Sequence, residues 1–174
     1  MFRSVEPLSN PEQKQLSSLR DFFLNFENVC VAYSGGVDST LVAAIAFEQL
    51  GEKAIAVTGV SPSLAPYLLK EAQLQAKLIG IDHIECKTNE LKDPLYTSNP
   101  NDRCYACKRE LHSSLQKIIT QMPNSQVLDG VNSDDIVDYR PGIKAASEMG
   151  VRSPLAELNI GKNLVRKISK SLCL

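Results

Sequence analysis

Four short apolar runs alternate along the chain with longer stretches of helical spacing, and that alternation leaves few folds open. The runs "NVCVAY" (28–33), "KAIAVT" (53–58), "HIECKT" (83–88) and "QVLDGV" (126–131) read as strands. Helical patterns separate them: from Asn10 to about Phe26, from about Val37 to a stop at Gly51, over about 64–79 ending at Gly80, and from about Arg103 to Met122. Two more follow, at about 141–149 with a stop at Gly150, and at about 161–172. The first helix opens with Asn10 as N-cap, Pro11 in the first turn and Gln13 completing a capping box. Alternating strands and helices build βαβ units with right-handed crossovers. The expected fold is therefore α/β, an open, doubly wound parallel sheet covered on both faces. No repeat, low-complexity tract or linker interrupts the pattern, so one domain spans 1–174.

The first strand runs into "SGGVDST" (34–40), which joins it to a helix N-terminus. There the backbone N–H groups are unpaired and the helix dipole favours negative charge, so the turn reads as an anion site. Gly35 and Gly36 let the backbone approach a phosphate, Ser34, Ser39 and Thr40 add hydroxyl donors, and Val37 completes the loop. Asp38 suits Mg²⁺, which neutralises the same phosphates. The turn lacks the lysine and spacing of a Walker A loop and is not G-x-G-x-x-G, so it is a third kind of phosphate loop. After the second strand, "TGVSPS" (58–63) lies at the same sheet edge, where Ser61 or Ser63 would contact adenine or ribose.

"NPNDRCYACK" (99–108) places Cys104 and Cys107 on one face at the start of a helix, whose N-terminus, with Arg103 and Lys108, favours thiolate. Two ligands complete neither a zinc site nor a cluster. Cys30 and Cys86 sit in strand runs and read as packed core thiols, and Cys173 is next to last. Five cysteines without a secretion signal argue against a disulfide framework. Further on, Asp129 falls at the carboxyl end of a strand, and Arg140, before Pro141-Gly142, suits a carboxylate or phosphate. Asp134, Asp135 and Asp138 read as a solvated acidic face, and His83 and His112 have no metal-like spacing and receive no role. The 19 basic and 20 acidic residues leave no electrostatic footprint for nucleic acid or an anionic membrane. With no apolar stretch of about 20 residues, the expected compartment is the cytoplasm.

"SGGVDST" resembles the PP-loop of the ATP pyrophosphatases. Combined with "NPNDRCYACK" and "LDGVNSDDIVDYRPGIKAASEMGVRSPL" (128–155), it is similar to the LarE family of ATP-dependent sulfur transferases, which serve nickel-pincer nucleotide cofactor synthesis. The resemblance covers the chain from about residue 15 onward. It implies that a carboxylate of pyridinium-3,5-biscarboxylate mononucleotide attacks the α-phosphate of ATP, giving an acyl-adenylate and pyrophosphate, after which sulfur displaces AMP. The turn would hold the β- and γ-phosphates with Mg²⁺ on Asp38. In the family, sulfur comes from one sacrificed cysteine or from a [4Fe-4S] cluster on three cysteines. Cys104 and Cys107 match the first two cluster positions.

The third cluster cysteine of the family lies beyond the last helix, where this sequence has already stopped, and Cys173 does not stand at that position. The final helix, "GKNLVRKISKSLCL", runs to the last residue without a stop signal. It reads either as a fraying terminus or as a chain lacking the family's C-terminal part. The full-length form is expected to be a homo-oligomer. Two other readings stay open: another PP-loop adenylase such as a tRNA thiolase, and a catalytically incomplete ATP- or AMP-binding module.

Overall fold

A computed structural model describes residues 7–88, 103–137 and 141–174. Helix α1 (Asn10–Phe23) is capped one residue earlier than expected, by Ser9. The capping box needs its acceptor three residues after the cap. Glu12 fills that position and takes the Ser9 N–H at 2.8 Å, while the Gln13 amide turns back to the Leu8 carbonyl.

The strands β1 (Asn28–Ala32), β2 (Ala54–Val60), β3 (Asp82–Lys87) and β4 (Ser125–Leu128) form one parallel sheet in the order β3-β2-β1-β4. β1 is central, with Val31 opposite Ala56 on one side and Leu128 on the other. A bridge from Leu128 to Arg152 extends the β4 edge. β4 stops three residues short of expectation: its pairing with β1 ends at Leu128, and the Asp129 N–H bonds the Arg152 carbonyl at 3.0 Å instead.

Alternation along β1 divides the core. Val29 and Val31 face a cluster with α1, α2 (Val37–Leu50), α3 (Pro66–Ile79) and the C-terminal helix α8 (Lys162–Ser171). Cys30 and Ala32 face a second cluster, built by α4 (Arg103–Ile119), which the sequence pattern ran on to Met122, and α6 (Pro141–Glu148). Both faces of the sheet are covered, as the strand–helix alternation requires. The middle of α2, residues 41–46, is apolar all round and has no exposure because the sheet lies on one side of it and α1 and α8 on the other. Each fully buried large side chain, such as Leu19 or Phe23 of α1, contributes about 1.5–3 kcal/mol.

Two short helices, α5 (Ser133–Val137) and α7 (Pro154–Glu157), are too short for periodicity to reveal and were not expected. Cys30 is a core thiol as expected, whereas Cys86 is only partly buried against the same cluster; burial pushes Cys30 up to about 12 and also raises Cys86. Among the described residues no helix is long and apolar enough to cross a membrane.

Candidate active site

The chain runs outward from β1 to β2 and β3, then returns to the other side of β1 with β4. The loops after β1 and β4 therefore part at the carboxyl edge of the sheet, the switch point where open α/β sheets bind ligands. Residues 34–36 leave β1 there. Gly35 has φ +74°, and a Cβ on it would lie 3.0 Å from the Ala72 Cα, so both conformation and space demand glycine. The N–H groups of Val37, Asp38 and Ser39 precede the first intrahelical bond of α2, from Thr40 N–H to the Gly36 carbonyl at 2.9 Å.

Two of the expected hydroxyl donors are committed within the turn. Ser39 Oγ donates to the Gly36 carbonyl at 3.0 Å, receives the Ser34 N–H at 3.2 Å and lies 3.1 Å from Ser34 Oγ. Thr40 Oγ1 donates to Gln75 Oε1 at 2.9 Å. Both side chains are buried, because the third and fourth residues of α2 turn toward the core, so they brace the loop. Ser34 and Gly36 are exposed, but the Gly36 N–H donates to Ser34 Oγ at 3.3 Å, so the groups left to meet a ligand are the first-turn N–H groups of α2.

Asp38, in the first turn of α2, forms an ion pair with Lys162, the first residue of α8, and Asn132 Nδ2 stands 3.4 Å from its Oδ1. Lys162 and Asn132 are absent from the sequence-derived candidates. Asp134 holds α8 in place by accepting the Lys162 N–H at 2.8 Å, and a Cβ at Gly161 would approach its carboxylate to 2.8 Å. Asp135 accepts the Asn132 N–H at 3.2 Å. The acidic cluster is thus not simply a solvated face, because two of its carboxylates hold the backbone that presents Lys162 and Asn132; Asp138 lies outside the described residues.

Asp129 is 1% exposed, with Oδ1 accepting from Ser153 Oγ at 2.7 Å and from the Val131 N–H at 3.1 Å. Burial raises its carboxyl above the usual range, opposed by the Ser153 hydrogen bond. It shapes the loop from beneath the site. The next residue, Gly130, lies against α2: a Cβ there would sit 2.7 Å from the Ser39 N and 2.9 Å from its Cα. Backbone atoms cannot retreat without moving the helix, so Gly130→Ala is expected to destabilise the fold by about 1–3 kcal/mol. The urea midpoint should fall with little change in slope, and an unchanged midpoint would show that this loop is not seated on α2.

Ser61 follows β2 at the same sheet edge, as expected, with Oγ 2.7 Å from Ser63 Oγ and accepting the Ser63 N–H at 3.3 Å. Cys104 falls in the first turn of α4, and Cys107 is exposed on that helix. Arg140 lies outside the described residues. For Mg²⁺, which takes one or two carboxylates together with phosphate oxygens, Asp38 at the open end of α2 is a fitting donor. Among the described residues no group of three or more His, Cys, Asp or Glu side chains is placed to hold a metal ion, and the side chain of Cys104 lies outside that description.

A parallel sheet with this glycine turn at its switch point is the fold of the PP-loop ATP pyrophosphatases. Solved structures sharing it include an NH3-dependent NAD synthetase from Campylobacter jejuni, with TM-score 0.74, 19% identity and coverage of 94% of this chain and 74% of that one. An NMN synthetase from Francisella tularensis matches at TM-score 0.72 and 21% identity, over 96% and 72% of the two chains. No family model matches the chain. Among curated proteins, the pyridinium-3,5-bisthiocarboxylic acid mononucleotide synthase of Lactiplantibacillus plantarum is 33% identical over 166 residues, 95% of this chain and 59% of that protein. An uncharacterised Synechocystis protein is 54% identical over 160 residues, 92% of this chain and 60% of that protein. Over nearly all of its length the chain is similar to the Lactiplantibacillus plantarum synthase, a LarE-type protein, and it shares the PP-loop fold of the synthetases above. It spans about 60% of the length of the curated relatives it matches.

Proposed function

We propose that this chain binds ATP·Mg²⁺ on residues 34–40 and activates a substrate carboxylate by adenylation, as the first stage of an ATP-dependent sulfur transfer. The acceptor is a small carboxylate-bearing mononucleotide, with pyridinium-3,5-biscarboxylate mononucleotide of nickel-pincer cofactor synthesis the first candidate. The observation that carries this reading is the Asp38–Lys162 pair at the open N-terminus of α2. A carboxylate and an ammonium side by side there can serve Mg²⁺ and phosphate oxygens once nucleotide separates them.

The acceptor oxygen attacks the α-phosphorus, and the bond to the bridging oxygen breaks with its electron pair leaving on pyrophosphate. That departing charge is met by the first-turn N–H groups of α2 and by Lys162, whose backbone is anchored by Asp134 and whose ammonium rests on Asp38. When bound, Mg²⁺ supplies further charge neutralisation, and Asp38 is the residue that would hold it. Ser61 and Arg140 are assigned to the nucleotide and acceptor sides respectively. The acyl-adenylate is then open to a sulfur nucleophile, with AMP as leaving group.

Sulfur delivery is assigned to the Cys104–Cys107 face of α4, where a sulfide would attack the acyl carbon and form the C–S bond as the C–O bond to AMP breaks. The test separates the stages. Pyrophosphate release from ATP should depend on the carboxylate acceptor. Cys104→Ala/Cys107→Ala should leave that release within about 3-fold of the starting chain while abolishing thiocarboxylate formation. Equal loss of both stages would remove the assignment of these cysteines to sulfur transfer. Dependence on tRNA would favour a thiolase. ATP binding without release under any condition would favour the nucleotide-binding module, which the partial coverage of the relatives keeps in view.

A further inference from the structure

His83 takes no part in the chemistry above, yet it ends a hydrogen-bonded chain that reaches the phosphate loop. The last ladder bond at the exit of β1 runs from the Tyr33 N–H to the Val57 carbonyl at 2.8 Å. Tyr33's own carbonyl, one peptide unit before Ser34, is taken by Thr58 Oγ1 at 2.9 Å. Thr58 is buried, and its Oγ1 lies 2.7 Å from His83 Nε2. A hydroxyl has one proton. With that proton given to the Tyr33 carbonyl, the oxygen must accept from His83, which fixes the imidazole as the Nε2–H tautomer. The Tyr33 ring, 3% exposed, meets the imidazole edge-on at 5.7 Å. Gln75 lies 3.5 Å from the Tyr33 hydroxyl and holds Thr40 of α2, so the same tyrosine is tied to both sides of the turn.

We infer that His83 is a positioning residue for the phosphate loop: its Nε2–H orients the Thr58 hydroxyl, which fixes the Tyr33 carbonyl and thereby the plane of the Ser34 N–H at the entrance to the turn. This inference deepens the proposed function and rests on it for the identity of the ligand. Burial holds the imidazole pKa below its usual value, against the pull of Glu85, consistent with a neutral ring carrying one N–H. A neutral donor working through a buried hydroxyl makes a modest contribution, so its effect should appear in affinity for nucleotide rather than in folding.

The experiment measures ATP·Mg²⁺ affinity and Tm for His83→Leu, His83→Gln, Thr58→Val, Thr58→Ser and the double variant His83→Leu/Thr58→Val. Roughly 3- to 10-fold weaker binding is expected for His83→Leu and Thr58→Val. Recovery is expected in His83→Gln, whose amide N–H replaces the donor, and in Thr58→Ser, which keeps the hydroxyl. Because His83 acts through Thr58, the double variant should bind no more weakly than Thr58→Val alone. Additive losses would overturn the relay, as would a lower Tm with unchanged ATP affinity in His83→Leu. Should Thr58→Val fail to fold, the glutamine rescue and the serine variant carry the decision. Amide exchange at Ser34, whose N–H is bonded to Ser39 Oγ, gives a readout without nucleotide. If the unsubstituted chain binds no ATP·Mg²⁺, the proposed function fails. Faster Ser34 exchange in His83→Leu would still support the positioning role, and unchanged exchange would overturn it.

Discussion

Lys162→Ala is expected to slow acceptor-dependent pyrophosphate release by about 100-fold or more, with ATP affinity changing much less. In the proposed reaction the ammonium stands beside the phosphate loop, where the charge of the leaving group would develop. Its backbone N–H is pinned by Asp134 at 2.8 Å, its side chain rests on Asp38, and a glycine immediately before it lets Asp134 approach. A donor fixed in this way needs little reorganisation as the bond breaks, so its removal falls mainly on the rate. Asp38→Ala should fail in another manner, by raising the Mg²⁺ concentration needed for half-maximal rate, because it removes the carboxylate assigned to the ion. Steady-state rates at varied ATP and Mg²⁺ distinguish the two. A Lys162→Ala chain with the starting rate would take the lysine out of the reaction, and an unchanged Mg²⁺ requirement in Asp38→Ala would do the same for the ion site.

The parts of the molecule legible in the sequence are those whose determinants lie close together. "NVCVAYSGGVDST" holds a strand, a turn needing positive φ at Gly35 and a helix start within thirteen residues, and each is read from local chemistry. The division of β1 into two faces follows from period-two alternation once both faces are known to be covered. Lys162 was hidden for the opposite reason, because it is 124 residues from Asp38 and nothing around it marks it as different from the other cations of α8. Its one local signal was position, as a lysine placed directly after Gly161 at a helix start. The hydroxyls of Ser39 and Thr40 are expected from the sequence as phosphate donors, and without nucleotide they bond Gly36 and Gln75 instead. Residue type says that a serine can donate, whereas the helical phase of α2 decides that these two turn inward to Gly36 and Gln75. The N-cap of α1 slipped by one residue because Ser9 and Asn10 are both good caps and only the spacing to Glu12 separates them.

His112→Leu is expected to remove most of the chain's loss of stability between about pH 6.5 and 4. His112 is 0% exposed in α4, and both ring nitrogens are buried without a partner among the described residues. Burial, with Lys108 one turn earlier as a lesser contributor, lowers its pKa from 6.5 to about 4. In that interval the unfolded chain binds the proton and the folded chain does not, so acid favours unfolding. The stabilisation is complete above about pH 6.5 and lost as the pH falls to 4, amounting to about 3 kcal/mol. Asp129 acts with the opposite sign: its raised pKa makes the folded state the better proton acceptor, so its protonation on acidification favours folding. Glu12, held down to about 2 first by Lys167 and then by Ser9, weakens the fold only as the pH drops below about 4.5. The difference between the starting chain and His112→Leu isolates the imidazole from both. Leucine should also match or exceed the starting stability at pH 7, since it fills the site without two unsatisfied nitrogens. Urea midpoints across pH 4–7.5 decide the matter. Parallel acid profiles would mean that His112 is not the sensitive group, and a large loss at pH 7 would mean that its nitrogens are hydrogen-bonded in solution.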